Sequence, residues 1–492
     1  MLGFSSKTSS TMAIASAGAH ILIIPYPAQG HMLPLLDLTH QLASRGLTIT
    51  ILVTPQNLLL LNPLLSKHPS IETLVLPFPA HPSIPAGVEN VKDLPVGGFR
   101  TMMHTLGELH NPTVQWFQNH PSPPVAIISD FFLGWTHHLA CQLSIRRFMF
   151  SPSGALALSI INSLWSDLPK RIDPNDESEM IPFLKIPATP AYPWWHLSPV
   201  YRSYVDGESA DPISEFIKDG FRSNIASWGL IINSFSELER DYLDHLKQEL
   251  GHDRVWAVGP LLPPDDDQGG PSERGGSSSV LAPKILSWLE TCEDQTVLYV
   301  CFGSQAVLTN EQMEGLALAL EKSRVRFLWS VKMATKGHEK ADQYGMIPSG
   351  FQDHVAGRGL VVQGWVPQVL ILSHRAVGGF LTHCGWNSVL EALVAGVPML
   401  AWPMGADQFG NATLLVDELK VAVRVCEGAK TVPDSGALAG LIAGAMVEKR
   451  EEMVRAMELR VAALEAIGEN GSSFKDLEGL VKHLAQLPFQ KS

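Results

Sequence analysis

At 492 residues the chain is too long for one ordinary hydrophobic core and suits two large α/β domains. Hydrophobic residues at 45% and charged residues at 17% exclude a disordered or fibrous chain, and no apolar run approaches the ~18 residues of a membrane span. A formal net charge of −13 argues against nucleic acid and anionic membrane as partners, and it requires any anionic ligand to be met locally, by backbone N–H groups or a helix end. The five cysteines form no C-x-x-C and sit far apart, which points away from a disulfide framework and towards a reducing, cytoplasmic setting.

Residues 1–19 are rich in Ser, Ala and Thr, carry one basic residue and lack a secretory apolar core, so a disordered tail is expected. The aliphatic run 20–26 leads into "PAQGH", an amphipathic stretch 34–46 and a β-type run 48–54. Strand, Gly-containing loop, helix and strand in that order open a parallel, doubly wound sheet. The pattern returns at 125–129, 147–151 and 229–233. Between them, residues 167–201 carry Pro, paired Trp and little periodicity, and are expected to form an ordered loop lying over something. The stretch 265–279 has the composition of an exposed flexible loop, and its Asp265 and Asp267 are expected to be solvated charges rather than a metal site. A second series follows: strand 296–302, helix 310–322, and strands 326–332, 360–363 and 377–381. A further buried strand lies in "GVPMLAWP", and the helical last third ends at 473–487.

Two such halves, 20–255 and 256–470, predict a cleft between them, with residues 471–492 as a helix packing back on the first half. Ligands of open α/β sheets bind beyond the carboxyl ends of strands, so the residues just after strands carry the information. His31 follows the first strand and Asp130 follows another, 125–129. An imidazole with a carboxylate on its far nitrogen is a general base, because the carboxylate fixes the tautomer and stabilises the imidazolium. In the second half, the turn 382–385 joins a buried strand to a helix with Val389, Leu390, Leu393 and Val394 as its apolar stripe. The N–H groups and dipole at such a helix start form an anion site. His383, Asn387 and Ser388 add donors there, Gly385 allows close approach, and Glu391, one turn on, suits a sugar diol. Phosphate beside ribose describes a nucleotide. His374, His383 and Cys384 lack the second cysteine pair of a zinc site, so no metal is expected.

The segment from Trp365 to Gln408, 44 residues long, reads "WVPQ", "H", "HCGWNS", "E", "GVP" and "DQ" in order. It resembles the signature box of the plant family 1 UDP-glycosyltransferases, and "PAQGH", "INSFSELE" at 232–239, "VGPL" at 258–261 and "VLYVCFGS" at 297–304 extend the likeness over nearly the whole chain. The resemblance implies the GT-B fold, two Rossmann-like domains facing a cleft, with a UDP-sugar as co-substrate and no cofactor. It implies that Trp365 stacks on uracil, that Val366 and Gln368 meet the base and ribose, and that Glu391 holds the ribose hydroxyls. His383, Asn387 and Ser388, with Ser304 from another strand end, would hold the diphosphate, while Asp407 and Gln408 would bind the sugar. Gln408 together with Trp386 goes with glucose in this family. The family's catalytic pair falls on His31 and Asp130.

The reading is therefore a metal-independent inverting transfer of glucose to a phenolic hydroxyl by a monomeric enzyme, with Phe131, Phe132, Trp135 and Trp194 as acceptor wall and roof. A phenol pKa near ~10 makes proton removal by His feasible. Another UDP-sugar, a terpenoid or carbon acceptor, and an inactive sugar-nucleotide-binding protein remain open as alternatives. A nicotinamide enzyme would need G-x-G-x-x-G and a P-loop ATPase G-x-x-x-x-G-K-[ST]; neither occurs after these strands.

Overall fold

The computed structural model describes residues 18–95, 97–208, 211–263, 279–333, 341–447 and 450–488. Most of the amino-terminal tail, and Asp265 and Asp267 with nearly all of their loop, lie outside these residues. The strands His20–Ile24 and Ala126–Asp130 are buried at every residue. Strands apolar on both faces belong in the middle of a parallel sheet covered on both sides. They pair with each other at the centre of seven parallel strands, ordered Glu72–Val75, Thr48–Val53, His20–Ile24, Ala126–Asp130, Arg146–Ser151, Gly229–Ile232 and Val255–Ala257. A second parallel sheet of six follows the same logic, ordered Gly359–Gln363, Arg326–Val331, Val297–Cys301, Val377–Thr382, Met399–Ala401 and Ala422–Arg424. The edge strands Glu72–Val75 and Ala422–Arg424 were not expected. They are short and only partly buried, and so carry little apolar signal.

Strand order reverses once in each sheet, between His20–Ile24 and Ala126–Asp130 and between Val297–Cys301 and Val377–Thr382. At such a switch point adjacent loops diverge and leave a crevice. His31 and Asp130 flank the first; Ser304 and His383 flank the second.

Three local outcomes bear on the site. The first helix spans Gln29–Ser44 and so starts five residues before the expected stretch, with Pro34 inside it. His31 therefore sits in the first helical turn, not in a loop. Residues 167–201 contain a hairpin, Met180–Pro182 against Ala191–Pro193, followed by the short turn Trp194–His196. This segment lies over the second domain: His196 stacks on Phe409 at 3.9 Å between ring centres. The helix Ser472–Ala485 puts Leu477, Leu480 and Leu484 into the cluster of Ile21 and Ile49, and Asp476 accepts the Ala257 N–H at 2.8 Å. Among the described residues no helix is long and apolar enough to cross a membrane.

Candidate active site

On the first-domain side, His31 Nδ1 and Asp130 Oδ2 are 2.8 Å apart. Asp130 ends its strand wholly buried, and its other oxygen accepts the Phe132 N–H at 2.9 Å. A carboxylate on Nδ1 assigns the proton there and leaves Nε2 as the basic nitrogen. Aromatic rings enclose the imidazole: Phe132 stacks on it at 4.6 Å, and Tyr26 and Phe131 stand at 5.5 Å. Phe132 is half-buried, whereas Phe131 and Tyr26 are buried.

Behind Asp130 lies Arg147, also buried. Its guanidinium donates to Ser129 Oγ at 2.9 Å, Asn224 Oδ1 at 2.8 Å and Ser227 Oγ at 2.7 Å, and reaches the Asp130 carbonyl at 3.4 Å. Asn224 in turn donates to the Phe131 carbonyl at 2.7 Å. Burial pulls Arg147 down to about 9, and the Asp130 charge opposes that fall. The network grips the Ser129 hydroxyl before Asp130 and the carbonyls of Asp130 and Phe131. Nothing in the periodicity of a buried strand signals it.

Of the aromatic residues expected to meet an acceptor, Phe132 and Phe131 do adjoin His31. Trp135 is buried and, with Met32, Leu106 and Leu109, lines a small pocket. Trp194 has no exposed surface and lies under the Arg171 guanidinium at 4.7 Å, as part of the core beneath the hairpin. Its neighbour Trp195 faces Phe409 instead.

On the second-domain side, Thr382 ends a buried strand, Cys384 takes a left-handed φ of 63°, and Gly385 caps the helix Trp386–Ala395. The His383 ring lies between two glycine backbones. A Cβ on Gly385 would stand 2.5 Å from it, and one on Gly303, at φ 76°, 2.6 Å. Both glycines exist so that this imidazole can fit. Loss of solvation pulls His383 down to about 4, so it is a neutral donor–acceptor at pH 7, and pushes the buried Cys384 thiol up to about 12.

Gln368, Ser388 and Glu391 meet directly: Gln368 Nε2 donates to Ser388 Oγ at 3.0 Å and to Glu391 at 2.7 Å, while Tyr299 donates to Gln368 Oε1 at 3.1 Å. Trp365 is half-buried beside them, and Val366 has its side chain in the core. Trp365 Nε1, His383 Nδ1 and Asn387 Oδ1 are buried without a partner among the described residues. Gln408 spends its amide oxygen on the N–H groups of Met404 and Gly405, at 2.9 and 3.1 Å. Asp407 loses solvation, which raises its carboxyl; hydrogen bonds from Ser153 and Asn411 and the nearness of His31 oppose the rise.

Several of these groups reach across the cleft. Asn387 Nδ2 donates to the carbonyl of Gly30, next to His31, at 2.9 Å. Trp386 Nε1 donates to the Asn233 carbonyl at 2.6 Å, and its ring presses on Gly154. Glu239, from the "INSFSELE" stretch, accepts the N–H groups of Ala155 and Leu156 at 2.9 Å each and so caps the helix that follows Gly154. Trp386 is thus a pin between domains as well as part of the box, which its place in the motif did not reveal.

Two facing Rossmann-like domains, a His–Asp pair on one wall and a nucleotide-type helix start on the other, define a GT-B sugar-nucleotide transferase. Residues 260–447 match the family described as UDP-glucoronosyl and UDP-glucosyl transferase. The chain is 64% identical over 472 residues to UDP-glycosyltransferase 89B2 of Stevia rebaudiana, covering 96% of this chain and 98% of that one. It is 57% identical to flavonol 3-O-glucosyltransferase UGT89B1 of Arabidopsis thaliana, with 96% and 97% covered. The crystal structure of Arabidopsis thaliana UGT89C1 complexed with UDP-L-rhamnose superposes with a TM-score of 0.78 at 41% identity, over 95% of this chain and 99% of that one. The chain belongs to the plant family 1 UDP-glycosyltransferases and is a UDP-glycosyltransferase with the GT-B fold.

Proposed function

We propose that this enzyme transfers glucose from UDP-glucose, with inversion, to a hydroxyl of a small phenol of the flavonoid kind. The observation that carries the reading is the His31–Asp130 pair at 2.8 Å, one residue from the Gly30 carbonyl to which Asn387 of the signature box is bonded. The base and the helix start suited to a diphosphate thus meet at one point of the cleft. The likeness to a flavonol 3-O-glucosyltransferase, and Gln408 at the end of the box, support glucose and a phenol. Trp365 stacks on uracil; Val366, through its backbone, and Gln368 meet the base and ribose; Glu391 holds the ribose diol. Ser304, His383, Gly385, Asn387 and Ser388 receive the diphosphate, with Trp386 holding the turn, and Asp407 and Gln408 meet the sugar. Phe132 and Phe131 flank the acceptor ring.

In the reaction His31 Nε2 takes the phenol proton as the oxygen attacks the anomeric carbon. The bond from that carbon to the diphosphate breaks, and UDP leaves with the electron pair from the opposite face. Charge growing on UDP meets N–H donors already in place at the helix start. A second reading, another UDP-sugar, is favoured by one observation: Gln408 has its oxygen committed to its own loop, so its NH₂ alone is left for a sugar hydroxyl, a weak filter. The test is a panel of UDP-glucose, UDP-rhamnose and UDP-xylose against flavonols, phenolic acids and terpenoid alcohols, with products located by NMR. A β-O-glucoside of a flavonol as the main product is expected. A dominant rhamnoside or a C-glycoside would overturn the proposed donor or acceptor.

A further inference from the structure

Lys332 follows the strand Arg326–Val331, which lies between Val297–Cys301 and Gly359–Gln363 in the second sheet. Those neighbours run on into Ser304 and Trp365. The Gly364 N–H donates to the Val331 carbonyl at 2.9 Å, so Lys332 stands level with the residue before Trp365. On its other side Lys332 Nζ donates to the carbonyl of Ser304. The ammonium is mostly withdrawn from water, which lowers it to about 8, and among the described residues it contacts no carboxylate. The charges acting on it are Asp93 and Lys92 of the facing domain, which oppose one another. A cation placed out of water without an anion is held there at a cost.

The signature box, meanwhile, lacks a cation to offer. Between residues 365 and 408 the only Lys or Arg is Arg375, and it pairs with Asp294 and Glu290 at the surface. His383 is neutral. A diphosphate would meet dipoles there but no positive charge. We propose that Lys332 is a diphosphate-binding residue, whose ammonium turns from the Ser304 carbonyl to the phosphate oxygens of the sugar nucleotide and takes up charge as UDP leaves. The proposal rests on the donor reading above and adds to it a residue outside the box.

The test is titration calorimetry of the whole protein with uridine and with UDP, for wild type, Lys332→Gln and Lys332→Arg. Lys332→Gln is expected to weaken UDP binding about tenfold or more, the range of one charge-assisted hydrogen bond, and to leave uridine binding unchanged. Lys332→Arg should retain most of the UDP affinity. An anion that settles on a partly deprotonated lysine draws a proton onto it, so UDP binding near pH 8 should take up protons in wild type and not in Lys332→Gln. Repeating the titration in buffers of different ionisation enthalpy reads this directly. A lysine that merely staples the Ser304 loop would weaken UDP binding with no proton uptake in wild type, and that result overturns the proposal. Equal UDP affinity in wild type and Lys332→Gln overturns it alone. Failure of wild type to bind either ligand would overturn the donor reading, and this one with it.

Discussion

On the first-domain wall of the cleft the catalytic pair is already matched, although the buried Tyr26 hydroxyl beside it has no partner among the described residues. Asp130 faces His31 in front and the Arg147 network behind, and aromatic rings close the rest. On the second-domain wall several polar atoms are held ready but not matched, beside the bonded Gln368, Ser388 and Glu391. Trp365 Nε1, His383 Nδ1 and Asn387 Oδ1 are buried without partners among the described residues, His383 is kept neutral, and Lys332 leans on a carbonyl. A His–Asp pair that is complete in itself suits a catalytic group whose geometry must persist. A wall with open valences suits a ligand that brings its own charge and hydroxyls. The difference teaches where specificity and rate should separate under mutation: on the first wall rate should fail while nucleotide binding survives, and on the second binding should fail too.

The largest expected effect lies on the first wall. His31→Ala should lower kcat/KM for phenol glucosylation by roughly 10²–10⁴, the usual worth of a general base, with UDP binding unchanged by calorimetry. Asp130→Asn leaves the shape but favours the wrong tautomer, and should cost a comparable factor. Turnover by His31→Ala at the wild-type rate would remove the base, and the contrast between the walls with it.

Next in size is a steric test on the second wall. Gly303→Ala places a methyl 2.6 Å from the His383 ring at a positive φ, so both the loop and the imidazole must shift. A loss of roughly 1–3 kcal/mol in stability is expected, together with weaker UDP binding. Gly405→Ala is the control, because nothing lies within 4 Å of its added Cβ. Thermal unfolding and UDP titration of both variants decide the matter. If Gly303→Ala matches Gly405→Ala in both, His383 is not held as described.

How much of this was legible in the residues follows from how local each feature is. The box is one strand, turn and helix with a preceding loop, so its spacing alone brings Gln368, Ser388 and Glu391 to one place, and they do meet. His31 and Asp130 were legible because both follow central strands of one sheet. Arg147 was not: its partners lie 17 to 80 residues away, and a charged residue in a buried strand reads as a break in the pattern. Lys332 was hidden because a lysine after a strand ordinarily reads as a solvated end. Trp194 misled for the opposite reason, since a paired Trp in an irregular stretch looks exposed, whereas the hairpin gives it a core of its own.

A smaller effect concerns pH. His383 is depressed to about 4 in the folded protein against an ordinary value of 6.5, so the unfolded chain binds the extra proton more readily. Its contribution to stability is fully present above pH 6.5 and is lost as pH falls towards 4. His196, depressed to about 4 by burial against Phe409, acts in the same window. His383→Gln should flatten part of the fall in Tm between pH 6.5 and 4, and the double change with His196→Gln should flatten more. Parallel Tm profiles for wild type and both variants would show that neither imidazole is held neutral.

The smallest expected effect tests the link between the walls. A proline has no N–H, so Pro34 leaves the carbonyl four residues before it, that of Gly30, without its intrahelical donor. Asn387 fills that vacancy from the opposite domain at 2.9 Å. Pro34→Ala restores the missing N–H, and the helix can then compete with Asn387 for the same oxygen. One net hydrogen bond is worth about 0.5–1.5 kcal/mol, so kcat should fall by roughly 2- to 10-fold if this bond sets the distance between base and donor. The helix itself should gain stability, since a proline in its interior is unfavourable. A variant with higher Tm, unchanged UDP affinity and lower kcat is therefore the outcome that separates a coupling bond from a packing contact. If Tm rises and kcat stays at the wild-type value, the Gly30–Asn387 bond joins the two walls without governing the reaction between them.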